Sequence, residues 1–406
     1  MTEAAIPTFT PVTIEPLRYH REMRDFLRRS EPGLWDAISA EEGQAERAEA
    51  RRLELLKTCV RLEGESHPEL LAALAEMAAR LGIQAPLRVY QAQQTPEANA
   101  MLAFIPGEVH IIFSGPVLAI LEAAELRVVL AHELAHYLLW AIEESAFFTA
   151  SRLLDQVSGH LQAANCHRES ARRWSLFTEV FADRAALAAT SDLEASVAAL
   201  VKAETGLAKV SGRSYLQQAE EILAGNEFRT RQLSHPELFI RARALALWHA
   251  SGDEAEPRIE EMLESVASLD ELDWLGQERL SRLTRQFLGQ LLLPKWFRSD
   301  TALAHARLFF ADFTPTEVKD DGVEAEIRGL PQPLRDYFAW ILADFARLDR
   351  SLEDVPLAAA LDWSKRLGCT EAFAKIASAD LKIKARELKK LEKSAADLLA
   401  RAALEK

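Results

Sequence analysis

Apolar residues fall three and four positions apart over most of the chain, the period of helices that bury one face. Residues 14–64 follow it among many charges, with a break at Pro32-Gly33 and an Arg- and Glu-rich stretch over 41–61. A further helix is predicted over 68–80, where leucines and alanines keep helical spacing up to Gly82, a residue suited to the left-handed conformation that ends helices. Then the period shortens. Residues 87–91 read as a strand, and 99–105 with 109–113 as a hairpin turning at Pro106-Gly107-Glu108. From Ser114-Gly115-Pro116 helix resumes to about residue 143, followed by helices over about 146–162, 168–190, 192–207, 213–224 and 236–250.

Ser251-Gly252-Asp253 and the acidic stretch 254–264 mark a boundary. Beyond it, residues 272–406 are almost wholly helical in pattern, interrupted at 319–322 and 329–333. The pattern predicts a mainly α protein with a small β-sheet (α+β) in three parts: an N-terminal helical segment 1–64, a central domain 65–250 and a helical C-terminal domain 251–406.

Composition narrows the class. A chain of 406 residues can bury more than one core, and 49% hydrophobic with 27% charged residues is the balance of an ordinary globular protein. The net charge of -14 argues against nucleic acid as a partner. Cys59, Cys166 and Cys369 are odd in number and far apart, which suits a reducing compartment better than a disulfide framework. Residues 1–12 show no basic start followed by an apolar run. The longest uncharged apolar stretch, 109–121, holds Gly115 and Pro116 and falls short of the about 20 residues a bilayer requires. The expectation is a soluble cytoplasmic protein with no membrane span.

The chemistry concentrates in Ala131-His132-Glu133-Leu134-Ala135-His136. Residues four apart on a helix share a face, so His132 and His136 aim their imidazoles at one point. Glu133 projects beside them, where a carboxylate can accept a proton from water without binding a metal itself. With 10 His and at most 62 Glu in the chain, chance would give about 0.04 such strings. Catalytic zinc usually takes three protein ligands. Glu179, in Phe177-Thr178-Glu179-Val180-Phe181-Ala182-Asp183, is the expected third, on a helix face kept narrow by Ala182 and Ala186. Asp183, one turn on, is placed to accept the free ring N–H of His132, the alternative being an ion pair with Arg184 or another cation.

Together these residues resemble metallopeptidase family 48, the gluzincin zinc peptidases that include HtpX-type membrane proteases and CAAX prenyl proteases. Four features stand in that family's order: Asn99-Ala100 opening a strand, His132-Glu133-Leu134-Ala135-His136, Glu179 to Asp183, and His235-Pro236 followed by Arg241. The resemblance spans roughly 68–249 and implies a zincin-like catalytic domain with one Zn2+ per chain and a peptide or protein substrate. It further implies that the strand at Asn99, Ala100 and Met101 binds extended substrate, that His235 assists at the zinc, and that Arg241 supports His235. A capping or solvent role for His235 stays open. The expected activity is a zinc-dependent endopeptidase with Glu133 as general base. Unlike the membrane members, this chain offers no transmembrane helices, which argues against a prenylated or membrane substrate.

Other features carry less. Cys166-His167 and His160 fit no common zinc spacing. His110 alternates out of an apolar strand as a surface or groove residue, and the lysine-rich stretch 382–393 reads as a solvated amphipathic helix. The rival reading is a latent or inactive peptidase fold serving as a scaffold, with the C-terminal helices engaging a regulatory protein partner.

Overall fold

The computed structural model describes residues 10–40, 44–93, 95, 97–224, 237–263 and 268–404. By internal packing the chain forms two compact units, Met1–Ser265 and Val266–Lys406. The first runs α1 (Arg18–Ser30), α2 (Pro32–Ser39), α3 (Gln44–Thr58), β1 (Cys59–Arg61), α4 (Pro68–Arg80), β2 (Leu87–Ala92), β3 (Asn99–Leu102) and β4 (Val109–Ser114). It continues through α5 (Val117–Ile120), α6 (Ala123–Ala141), α7 (Ala146–Ser158), α8 (Asn165–Thr190), α9 (Leu193–Thr205), α10 (Gly212–Ala224), α11 (Leu238–Ser251) and α12 (Glu256–Leu263). The fold is mainly α with one small mixed sheet, as the hydrophobic periods predict.

The local chemistry explains most boundaries. In α4, Pro68 opens the first turn, Leu70, Ala73, Leu74, Met77 and Ala78 point inward, and Gly82 follows at φ 71°. The segment expected to be one helix over 114–143 is two. Glu122 and Glu125 form a reciprocal capping box, the Glu122 N–H donating to Glu125 Oε2 at 2.7 Å, and this starts α6 afresh after the short α5. Lys202 on α9 then donates to Glu125 at 2.7 Å and to the Ile120 carbonyl at 3.0 Å, so the beginning of α6 is tied to a neighbouring helix.

The sheet has the order β1-β2-β4-β3. β2 and β4 are parallel, whereas β1 pairs antiparallel with β2 and β3 antiparallel with β4. β1 has no counterpart among the expected strands, because Cys59–Arg61 ends a charged run of helical pattern and has only three residues. The β3–β4 hairpin turns where expected, with Gly107 at φ 77° and a bridge between Ile105 and Glu108. β4 is central and buried along nearly its whole length. His110 is therefore not a surface or groove residue. It is fully buried, with Nδ1 at 3.2 Å from the Tyr90 hydroxyl and Nε2 at 3.0 Å from Glu108, partners that satisfy a polar ring inside a sheet.

The second unit is built from α13 (Trp274–Leu291), α14 (Asp300–Phe309), α15 (Asp321–Arg328), α16 (Gln332–Ala346), α17 (Val355–Leu367), α18 (Thr370–Ala379) and α19 (Ala385–Leu404). Its core gathers Phe287, Phe297, Phe338, Phe345 and Phe373. α19 turns Leu388, Leu391 and Ala395 inward and its lysines outward, the amphipathic helix the sequence predicts. No helix of either unit is long and apolar enough to cross a membrane among the described residues. Cys59, Cys166 and Cys369 are free thiols.

In the first unit α1 lies against α7 and α8 and carries a buried histidine that sequence pattern alone does not flag. His20 is enclosed by the rings of Phe147, Trp174, Phe177 and Phe181. The Thr178 hydroxyl donates to the Trp174 carbonyl at 2.8 Å, so it accepts from His20 Nε2 at 3.3 Å. Burial, and then the charge of Arg21, lower the His20 pKa from 6.5 to about 3. Between these values the unfolded chain binds a proton that the folded chain refuses. The stabilisation from neutral His20 is thus complete above about pH 6.5 and declines by up to about 1.4 kcal/mol per pH unit on acidification. Urea unfolding of wild type and His20→Gln at pH 7 and pH 5 should show a smaller acid loss in the variant; equal losses would contradict the buried neutral ring.

Candidate metal centre

α6 and α8 form the most extensive helix pair of the first unit. α6 is apolar around most of its circumference, with Val128, Leu130, Ala131, Leu134, Ala135 and Leu139 buried, as expected of a helix enclosed on several sides. α8 answers with Ala182, Ala185, Ala186 and Ala189, small side chains that let the two backbones approach. The polar exceptions on these faces are the residues of interest.

His132 Nε2 and His136 Nε2 lie 3.2 Å apart with their rings nearly perpendicular, at 86°. Glu179 Oε2 is 3.5 Å from His132 Nε2, and Oε1 is 3.7 Å from His136 Nε2. Among the described residues these three form the one group whose ligand atoms converge closely enough to hold a metal ion. The spacing fits a tetrahedral ion: bonds of about 2.0–2.1 Å put neighbouring ligand atoms about 3.3–3.5 Å apart. Two imidazole nitrogens and one carboxylate also suit the chemistry of a borderline-soft divalent cation.

The surrounding groups fix this arrangement. Asp183 Oδ1 sits 3.1 Å from His132 Nδ1 and so orients the ring with Nε2 toward the ligand cluster. Arg241, from α11, donates to both Asp183 oxygens at 2.7 Å and approaches Glu179 Oε2 at 3.3 Å. Asp183 and Arg241 are about 95% buried, and a buried ion pair holds only when its geometry is this complete. Burial alone would raise the Asp183 and Glu179 carboxyls; Arg241 and the His132 proton outweigh it and keep both below their ordinary range. Burial likewise pulls His132 down, yet Asp183 and Glu179 lift it to about 10. Without an ion, His132 thus carries a proton that a bound cation must displace. His136, lacking a carboxylate on Nδ1, is lowered to about 4 by burial and by the charge of His132.

Glu133 takes no part in the convergence. It is buried, and burial pushes its pKa up to about 7 against the pull of His132. Its carboxylate accepts the Leu102 backbone N–H of β3. β3 is the edge of the sheet, and in its register with β4 the backbone groups of Asn99 and Met101 face β4 while those of Ala100 and Leu102 face outward. The Ala100 N–H is accepted by the Asn99 side chain at 2.8 Å, and the Leu102 N–H by Glu133. The outward carbonyls of Ala100 and Leu102 accept no backbone N–H among the described residues. Residues 97–102 line one cleft of about 930 Å3 together with His132, Glu133, His136 and Glu179.

The structure thus gathers His132, His136, Glu179, Glu133, Asp183 and Arg241, with Asn99, Ala100 and Met101 on the cleft wall. Arg241 contacts Asp183 and Glu179. His235 lies outside the described residues. Sequence reasoning missed Trp140 and Trp174, which also line the cleft. Trp140 stands one turn beyond His136 and stacks on it at 5.6 Å, a relation its i+4 spacing could have revealed.

Comparison with known proteins accords with this geometry. Residues 65–249 match the model of Peptidase family M48, a little under half of the chain. The chain is also 29% identical, over 218 residues, to the plastoglobule-localized metallopeptidase 48 of Arabidopsis thaliana, a chloroplast protein; the match covers 49% of this chain and 62% of that relative. No solved structure gives a significant match.

If Asp183 holds His132 in its binding tautomer, Asp183→Asn should weaken zinc affinity about 10- to 100-fold at pH 7, read by competition with a chromogenic chelator. An unchanged affinity would deny Asp183 that role.

Proposed function

We propose that this protein is a zinc-dependent endopeptidase. The observation that supports it most strongly is the approach of His132, His136 and Glu179 ligand atoms to one another beside a buried, non-ligating Glu133 on the wall of an open cleft. In this reading His132, His136 and Glu179 hold the zinc. Zinc, when bound, supplies a Lewis acid that polarises a carbonyl and makes a water acidic near neutral pH.

The rest belongs to the chain itself. Burial raises the Glu133 pKa to about 7 in the metal-free protein, and the charge of a bound cation would favour the carboxylate that accepts a proton. Glu133 takes a proton as water attacks the scissile carbonyl and returns it to the departing amine. The Leu102 N–H fixes the carboxylate for this transfer. β3 presents the Ala100 and Leu102 carbonyls to the N–H groups of an extended peptide, which lies along the strand edge and brings its scissile bond to the site. Asp183 and Arg241 position His132 and Glu179 without touching substrate. His235 remains the candidate for a further oxyanion contact.

Metal analysis and casein hydrolysis test this directly. Wild type and Glu133→Ala should each carry about one zinc per chain, and the variant should lose about 10²- to 10⁴-fold in turnover, as removal of a general base implies. Undiminished cleavage by Glu133→Ala would remove Glu133 from the mechanism. A zinc-loaded but inert wild type would favour the scaffold reading.

A further inference from the structure

The charges of the cleft are one-sided. Among the described residues lining it, Glu97, Glu133, Glu179, Asp183 and Glu204 face a single guanidinium, Arg241. Arg241 is already engaged by Asp183 and Glu179, and a divalent ion at the ligand cluster would not reverse the sign. Glu97 stands apart from that internal compensation, and Glu204 contributes to it only through the field it exerts on Arg241. Both are solvent-exposed, and neither carboxylate forms an ion pair among the described residues. Glu97 sits just before the β3 edge, with its carbonyl held by Ser114 Oγ at 3.1 Å, and Glu204 is near the end of α9, so they come from different walls of the same cleft.

Two further features bear on what enters. Val117, Val128 and Leu200 also line the cleft and give it apolar wall. Trp174, 97% buried, also lines it, and its indole N–H has no acceptor among the described residues. An unmet buried donor costs about 1–3 kcal/mol, and a peptide carbonyl would satisfy this one.

We infer that the cleft selects peptide segments bearing Lys or Arg beside the scissile bond, with Glu97 and Glu204 as the residues that set this preference. The inference rests on the endopeptidase reading for its substrate class. A long cationic side chain lays its methylenes on the apolar wall while its charged end reaches an exposed carboxylate. A cleft of one sign, walled by low-dielectric material, concentrates ligands of the other, whereas an acidic segment meets repulsion.

The test separates selection from catalysis. Fluorescein-labelled peptides identical except for Lys, Ala or Glu around a central apolar pair are titrated against zinc-loaded Glu133→Gln by anisotropy, and the same peptides are offered to wild type for hydrolysis. The Lys peptide should bind roughly tenfold more tightly than the Glu peptide, a ratio that shrinks at about 0.5 M salt. Glu97→Lys and Glu204→Lys, each added to Glu133→Gln and checked for folding by circular dichroism, should each cut the ratio several-fold, and together invert it. Equal binding of Lys and Glu peptides, no binding of any, or a ratio indifferent to both charge reversals would overturn the inference. A Lys preference in binding with no hydrolysis by wild type would support the selection and count against the endopeptidase reading instead.

Discussion

A buried guanidinium clamped between two carboxylates holds this site together. Arg241 comes from α11, Asp183 and Glu179 from α8, and His132 from α6, so one cation joins three helices at the point where the candidate metal ligands meet. Taking such charges out of water is costly, and the cost is offset only when every partner is in place. The arrangement is therefore close to all-or-none. Its geometry aims His132 Nε2 and a Glu179 oxygen at the spot that His136 Nε2 reaches from one turn away.

Around this centre the fold supplies supports that differ in kind. The capping box at Glu122 and Glu125, with Lys202 behind it, fixes where α6 begins and hence which way His132 and His136 point. The small residues of α8 set how near Glu179 approaches. From the other side the edge strand β3 reaches in with the Leu102 N–H, which ties Glu133 to the surface along which substrate would lie. In the proposed mechanism, the general base and the strand edge offered to substrate are thus joined by a single hydrogen bond. α1 braces α8 from behind through His20 and Thr178, one residue before Glu179.

Much of this was legible in the sequence where a regular period carried the signal. His132 and His136 are four apart on a helix, and Glu179 and Asp183 four apart on another, so each pair could be placed on one face before any coordinates. Joining the pairs needed the requirement of zinc for a third ligand. What failed to show was set by contacts distant in the chain. Arg241 stands near His235 in sequence, but its guanidinium partners belong to α8. Cys59–Arg61 looked like the end of a charged helix because three residues are too few to display an alternation, and it becomes a strand by pairing with β2. His110 seemed to alternate outward, whereas a strand with neighbours on both edges and cover on both faces has no outward side. Glu97 and Glu204 are 107 positions apart, and nothing in the sequence hints that they share a cleft.

The convergence of His132, His136 and Glu179 is tested most directly by zinc-edge X-ray absorption of the zinc-loaded protein. The account predicts a four-coordinate spectrum with two imidazoles at about 2.0–2.1 Å and oxygen at about 2.0–2.2 Å, and a changed first shell in Glu179→Ala. A sulfur ligand near about 2.3 Å, or a first shell identical in wild type and Glu179→Ala, would contradict it.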